Sequence, residues 1–463
     1  MNRIVPLILA FAFFMEMMDS TVIATSLPAI AADIGVNPIT LKLALTSYLV
    51  ALGMFIPVSG WLADKFGAKR VFRLAILVFV IGSVACALSS SLTEFVIFRF
   101  LQGMGGSMMT PVGRLVLVRS TPKERFVSAM TLVTVPGLVG PMAGPPLGGF
   151  ITTYFSWHWI FIVNVPIGLL GIWLSGLYLP EIPRLPTPKM DWRGFALTAI
   201  AASGLVFGLS VISMPALPPA VGVLATLTGL AALFAYIRHA KRVEQPILNP
   251  SLFKVPVFRV SILGSTIFRV ATGAQPFLVP LFLQLGFGLN PFQSGMITFS
   301  GAFGALSTKL IATRVLSAVG FRTTMITAAI FGTLSILAVA LFEPGTPYWL
   351  IVATLFLGGF TRSFLFTSAN SLAFTSVPAE EASQATSISS VFQQISIALG
   401  VALAGLVLES SYWLNGTELS IADFHLAFIV TGILCGLSVL SLAALPKTAG
   451  ADVSGHRMRN SEV

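Results

Sequence analysis

The feature that most constrains this chain is an apolar stretch of transmembrane length that recurs from one end to the other, divided by short charged or Pro/Gly-rich breaks. A helix needs about 20 mostly apolar residues to cross a hydrocarbon core of about 30 Å. Only 10% of the 463 residues are charged and 56% are hydrophobic, whereas a soluble domain carries roughly a quarter charged residues. Lipid is therefore the solvent. Alternating segments of about ten residues, the mark of a membrane barrel, are absent. The expected fold class is an all-α membrane protein with spans at 4–30, 41–63, 71–90, 93–118, 127–152, 159–179, 192–213, 219–240, 257–283, 291–313, 323–342, 348–377, 383–409 and 424–445. Within 257–283, Pro276 and Pro280 interrupt the stretch.

The net charge of +10 would suit a polyanionic partner, but its placement argues otherwise. With the amino terminus taken as cytoplasmic, the inside segments hold Arg3, Lys65, Lys69, Arg70, Arg73, Arg119, Lys123, Arg125, Arg184, Lys189 and Arg193. Further along they hold Arg238, Lys241, Arg242, Lys254, Arg259, Arg314, Arg322, Lys447, Arg457 and Arg459, while only Lys42 lies near an outside loop. Basic residues flanking spans on one side set topology, so both termini are expected in the cytoplasm and no nucleic-acid partner is implied. The first apolar run is too long for a signal-peptide core and carries two acids. Cys86 and Cys435 sit in separate apolar spans, and the four histidines form no metal-binding pair. No metal or organic cofactor is expected.

The spans divide as six, two and six. Pro- and charge-rich segments at 179–186 and 241–246 set off the middle pair. The expected organisation is a six-helix bundle at 1–180, an inserted helix pair with cytoplasmic linkers at 181–256, a second bundle at 257–446 and a polar tail at 447–463. Two six-helix halves are what a transporter built from parallel repeats shows. The break Asp64-Lys65-Phe66-Gly67-Ala68-Lys69-Arg70 has a weak echo in Ser317-Ala318-Val319-Gly320-Phe321-Arg322, which keeps the Gly and one basic residue but loses the Asp.

Intramembrane charges mark pairs or pathways. Glu16 and Asp19 lie mid-span, three residues apart and on one helical face. Each charge at the bilayer centre costs roughly 2.5–3.5 kcal/mol on insertion scales. They either form structural bridges to buried arginines or carry protons, and Asp19 is the preferred carrier. Arg99, Gln102 and Gly106 form a polar face of the fourth span. A cation there can hold a carboxylate ionised and release it when the geometry changes; the alternative is a packing seam with a snorkelling Arg. In the fifth span Gly140, Gly144 and Gly148 repeat every four residues beside Pro141, giving a smooth face for a close helix partner or a kinked hinge. In the second half Arg269 and Arg362 lie near mid-span, and Lys309 lies close enough to one end to snorkel. The two arginines either neutralise Glu16 and Asp19 or attract an anionic group of a substrate. Glu16, Gln102, Gln275 and Asn370 are further cavity candidates.

Five ordered segments carry a family resemblance. Gly60-Trp61-Leu62-Ala63-Asp64-Lys65-Phe66-Gly67-Ala68-Lys69-Arg70 resembles the signature loop between helices two and three of the major facilitator superfamily. Met18–Pro28 resembles the first-helix motif of its drug:proton antiporter branch with fourteen spans. The stretch 99–106 is similar to that branch's fourth-helix motif, 140–149 to its fifth-helix antiporter motif, and 156–168 to a further segment typical of it. Within the branch the chain is similar to enterobacterial multidrug-transporter-like proteins, which share Gln393-Gln394-Ile395-Ser396-Ile397-Ala398-Leu399-Gly400.

The resemblance implies the major facilitator fold, a monomer in a bacterial inner membrane, and alternating access, in which two halves rock about a central cavity. Asp19 would be the proton site, Arg99 its modulator, and the proton the coupling ion. Asp64 with Lys69 and Arg70 would stabilise one conformer. Ala68 stands where a basic residue is common, which softens that latch, and Glu16 is an acid the first-helix motif does not call for. It would serve as a second proton site or bind cationic substrates. The expected function is proton-coupled export of amphiphilic organic compounds. An alternative is a dedicated exporter of one anionic metabolite, siderophore or lipid-like solute. No nucleophile–base pair or soluble catalytic domain supports an intramembrane enzyme or a receptor.

Overall fold

The computed structural model describes residues 4–450 apart from 185, 186, 188, 215, 216, 376, 379, 380, 416–418, 447 and 448. Arg3, Lys447, Arg457 and Arg459 lie outside the described residues, with nearly all of the expected tail, as do the side chains of Lys123 and Arg125. The described secondary structure is entirely helical. Eleven helical stretches among the described residues are long and apolar enough to cross a membrane. One of them, α13 (Pro291–Val339), kinks at Gly320 and holds two of the expected spans. Outside those eleven, α5 (Leu92–Ser120) and α6 (Lys123–Tyr154) are 29 and 32 residues long. Charges in α5 and four prolines in α6 lower their apolarity, not their reach. The architecture is the fourteen-span all-α fold expected.

The chain forms two compact units, one running to Ile247 and taking in Leu289–Met296, the other comprising Leu248–Gly288 and the chain from Ile297 on. The remaining helices of the first unit are α1 (Ile4–Val22), α2 (Leu27–Ile34), α3 (Lys42–Phe66), α4 (Ala68–Ala87), α7 (Trp159–Ile162), α8 (Asn164–Tyr178), α9 (Trp192–Val211) and α10 (Pro219–Ala240). Here α1 packs on α6 and α8, both α3 and α4 pack on α5, and α4 packs on α8. The middle pair α9–α10 packs on itself and, through α9, on α3. Phe13, Tyr48, Phe72, Phe79 and Met109 fill the interior of this bundle.

The starts of these helices follow from local chemistry. Ser91 caps α5 by accepting from Glu94 N at 3.3 Å, while the Glu94 carboxylate reaches back to Ser90 N at 3.0 Å. Asp191 caps α9 by accepting from Gly194 N at 2.8 Å. The ridge of Gly140, Gly144 and Gly148 on α6 faces α1. A Cβ at Gly144 would stand 2.0 Å from Thr21 Oγ1, and one at Gly148 2.2 Å from Val22 O. Only hydrogen at these positions permits such an approach. Thr25 Oγ1 donates to Pro145 O at 3.3 Å, and the Ser26 and Thr152 hydroxyls bond at 2.7 Å, closing the same seam.

The other helices of the second unit are α11 (Pro256–Gly273), α12 (Gln275–Leu281), α14 (Tyr348–Thr375), α15 (Ala382–Asn415) and α16 (Ile421–Ala443). In this unit α11 is central, packed on α14, α15 and α16. The expected interruption near Pro276 and Pro280 is real: α11 ends at Gly273, α12 follows, and a π-helical turn occupies Phe282–Gly286. Proline removes an N–H and displaces the preceding carbonyl, so the backbone regroups around it.

Gly67, the one residue between α3 and α4, has φ 94°, and Gly320 has φ 77°. Both lie in the left-handed region that disfavours side chains. The faint sequence echo between the two breaks is thus a shared backbone requirement, which explains why the Gly recurs and the Asp does not.

Candidate functional site

The mid-span charges of the first unit come together. Arg99 and Asp19 are each 0% exposed, and Arg99 Nη1 donates to Asp19 Oδ2 at 2.8 Å. Snorkelling is thereby excluded for Arg99. The second oxygen, Asp19 Oδ1, accepts from Gln102 Nε2 at 2.9 Å and from Asn164 Nδ2 at 2.8 Å. Ser83 Oγ accepts from the same two amides at 2.6 and 3.2 Å, and Gln102 Oε1 accepts from Arg99 Nη1 at 2.6 Å. The guanidinium lies over the Tyr48 ring, 4.2 Å from its centroid. Five helices therefore supply one polar cluster: α1, α3, α4, α5 and α8.

The backbone explains how they meet. Gly103 of α5 turns toward α3, where a Cβ would stand 2.6 Å from Tyr48 O, and Gly105 turns toward α4, 2.5 Å from Phe79 N. Gly82 of α4 faces α5 in return, its Cβ position 2.7 Å from Gln102 Cα. The glycines let three helices close around Arg99 and Gln102. Three donors, from Arg99, Gln102 and Asn164, thus converge on the Asp19 carboxylate.

Gln102, expected on the wall of a substrate cavity, is instead spent on this cluster, with both its polar atoms engaged and no exposed surface. Glu16 is separate from the ion pair: it is 3% exposed and accepts from Thr110 Oγ1 at 2.6 Å. Asn164, Ser83, Tyr48 and Thr110 carry no role in the sequence reading. Asn164 does fall in the segment 156–168, and the structure gives that segment concrete work. Its Trp157 Nε1 donates to Asp33 Oδ2 at 3.1 Å, Phe161 packs edge-on against Phe95, and Asn164 reaches Asp19.

The signature loop also acquires partners. Asp64, at the end of α3, pairs with Arg119 at the end of α5 at 2.6 Å. Lys69, at the start of α4, pairs with Glu181 beyond α8 at 3.4 Å. Gly60 has open space around its Cβ position, and Arg70 is exposed. His239 near the end of α10 meets Asp191 at the start of α9 at 2.7 Å. Lys42, placed near the opposite end, is fully buried.

In the second unit, Arg269 is 1% exposed and donates through Nη2 to Asn370 Oδ1 at 2.7 Å. Arg362 is half-buried on α14. Lys309 is exposed, as a snorkelling residue would be, and donates to Thr367 Oγ1 at 2.6 Å. Gln275 Nε2 is buried without a hydrogen-bond partner among the described residues.

Comparison with known proteins places this geometry in context. Residues 9–274 and 260–458 match the sequence profile described as Major Facilitator Superfamily. The chain is 35% identical over 459 residues to the "Putative multidrug resistance protein MdtD" of Serratia proteamaculans, covering 98% of this chain and 95% of the relative. It is 37% identical over 443 residues to the protein of the same name from Cronobacter sakazakii, covering 95% and 92%. Among solved structures, a D-xylose-proton symporter superposes with a TM-score of 0.71 at 16% identity, over 96% of this chain and 98% of that one. A nucleoside transporter, NupG, superposes with a TM-score of 0.68 at 13% identity, over 96% and 99%. At such identities these two structures speak for the fold alone.

Proposed function

The chain belongs to the Major Facilitator Superfamily, and on that premise we propose that this multi-pass membrane transporter exports amphiphilic organic compounds in exchange for protons. The observation that carries the reading is the buried Asp19–Arg99 pair. A proton bound at Asp19 Oδ2 would occupy the position that Arg99 Nη1 now fills. Proton uptake therefore requires the pair to open, and reclosure expels the proton, which ties protonation to a movement of α1 relative to α5. A proton entering down 100 mV contributes about 2.3 kcal/mol, and each pH unit adds about 1.4. Both suffice to concentrate a solute outward.

Glu16, which accepts from the Thr110 hydroxyl, is a second proton site or a docking point for a cationic substrate. The pairs Asp64–Arg119 and Lys69–Glu181 latch one conformer at the end where the basic residues gather. That gathering supports a cytoplasmic placement for this end and for both termini; the proposed transporter acts as a monomer in a bacterial inner membrane. The names of the curated relatives support drugs as the class of solute.

Reconstitution into proteoliposomes with an imposed pH gradient tests the reading. Wild-type protein is expected to accumulate substrate against its gradient, and Asp19→Asn to abolish that accumulation while leaving downhill exchange. Uphill accumulation by Asp19→Asn at the wild-type rate would remove Asp19 as the proton carrier.

A further inference from the structure

The second unit buries a cation that has no counter-ion among the described residues. Arg269 lies on α11, four residues before the helix ends and the α12 break begins. Beyond the bond from Nη2 to Asn370, its Nε and Nη1 are buried with no acceptor among the described residues. The Phe366 ring lies beneath the guanidinium, its centroid 5.1 Å from Cζ. The contrast with Arg99 is sharp: both are fully buried, but Arg99 has the Asp19 carboxylate at 2.8 Å.

A buried charge left unpaired costs several kcal/mol, and a structural tether does not explain it. A single hydrogen bond to Asn370 is within reach of a neutral amide, which could hold α11 to α14 without the charge. Four acids are buried among the described residues, and none of them, Glu409 of α15 included, is ion-paired with Arg269. Asp19 is bonded by Arg99, Gln102 and Asn164, Glu16 by Thr110, and Asp423 by Ser411 and the Ser420 backbone. Arg362, Phe366 and Asn370 recur every four residues along α14 and form one stripe. That stripe carries a second guanidinium, an aromatic face and the amide that orients Arg269. Ser389 of α15 also donates to Asn370 Oδ1, at 3.5 Å, and so helps to fix that amide.

We propose that Arg269, oriented by Asn370 on the α14 stripe, binds an oxyanion head group of the transported amphiphile. The carboxylate or phosphate supplies the charge that the protein withholds, and Phe366 meets the apolar body next to it. This rests on the export function proposed above and names the charge of its substrate.

The test is equilibrium binding to the full-length protein in lipid nanodiscs, with three probes that share one ring system: 1-naphthoate, 1-naphthyl phosphate and 1-naphthylmethylammonium. Either oxyanion is expected to bind at least about tenfold more tightly than the ammonium, and Arg269→Ala to remove about tenfold or more of that affinity. The tighter of the two oxyanions identifies the head group. Asn370→Asp separates binding from folding, because it gives Arg269 an internal carboxylate. Its thermal stability is expected to hold or rise while oxyanion affinity falls by about tenfold. Asp19→Asn is expected to keep oxyanion affinity while losing proton-driven flux, so that failure of the proton reading and failure of this one are told apart. Preference for the ammonium, no binding of either oxyanion, or unchanged oxyanion affinity in both Arg269→Ala and Asn370→Asp would overturn the proposal.

Discussion

At the scale of the residue, Asp19 is held by a charge and two amides, and each makes a different demand on it. Replacing Arg99 by Ala leaves a buried carboxylate without its cation, and breaking a buried pair in this way costs about 3–5 kcal/mol. The expected result is a large drop in melting temperature for Arg99→Ala, substantially reversed by adding Asp19→Asn, as read by thermal unfolding in detergent. Asn164→Ala is milder. It removes one donor to Asp19 Oδ1, and a hydrogen bond to a charged group is worth about 1.5–3 kcal/mol. The expected result is a smaller drop in melting temperature than for Arg99→Ala, together with slower proton-driven exchange in proteoliposomes; exchange at the wild-type rate would show that Asn164 is merely structural. Asp19 and Arg99 were legible in the sequence because a charge in an apolar run is an anomaly that demands a partner. Asn164, Ser83 and Tyr48 were not. Uncharged polar side chains in spans commonly satisfy themselves on their own helix, as Thr272 does on Phe268 O and Thr431 on Ala427 O. Only the packing of α5 and α8 on α4 distinguishes a side chain spent locally from one aimed at a charge.

At the scale of the element, the α1–α6 seam decides how Asp19 is held, because α1 carries it and α6 sets how α1 can lie. The predicted contrast is between two glycines of α6. A Cβ at Gly144 meets Thr21 Oγ1 at 2.0 Å, whereas at Gly137 the nearest atom, Phe13 Cβ, is 3.8 Å away. Gly144→Ala is expected to destabilise the protein by about 1–3 kcal/mol through overpacking and to slow exchange. Gly137→Ala is expected to leave both within error, with thermal unfolding and flux measured side by side. The helices themselves were readable from apolar length, as was the break at Pro276 and Pro280. What the pattern could not supply was which helix the glycine ridge would meet. Every apolar face in lipid resembles every other, and the ridge states only that some partner comes close. The limits of α3 and α4 were also blurred, since one glycine at φ 94° is all that separates them. The helices run past Ala63 and begin before Val71, through charged residues that a hydropathy reading assigns to the loop.

At the scale of the whole molecule, the proton reading and the oxyanion reading make a joint demand on the membrane potential. Each elementary charge moved across the bilayer is worth about 2.3 kcal/mol per 100 mV. If one proton enters for each monoanionic substrate that leaves, two positive charges in effect move inward. The driving force from voltage alone is then about 4.6 kcal/mol per 100 mV. A neutral substrate halves that figure, and a monocationic substrate cancels it, leaving only the pH gradient. Proteoliposomes loaded with a potassium gradient and valinomycin, at equal pH on both sides, isolate the voltage term. Uphill export of a naphthoate-type anion is expected to run on an inside-negative potential alone and to collapse when the potential is clamped to zero. Arg269→Ala is expected to weaken this export by raising the substrate concentration it requires, because the binding charge lies in the second unit. Asp19→Asn is expected to remove the uphill component at every substrate concentration, because the coupling charge lies in the first. Export that ignores voltage but follows the pH gradient would instead identify a cationic cargo and shift attention to Glu16, the buried acid that stands apart from the ion pair.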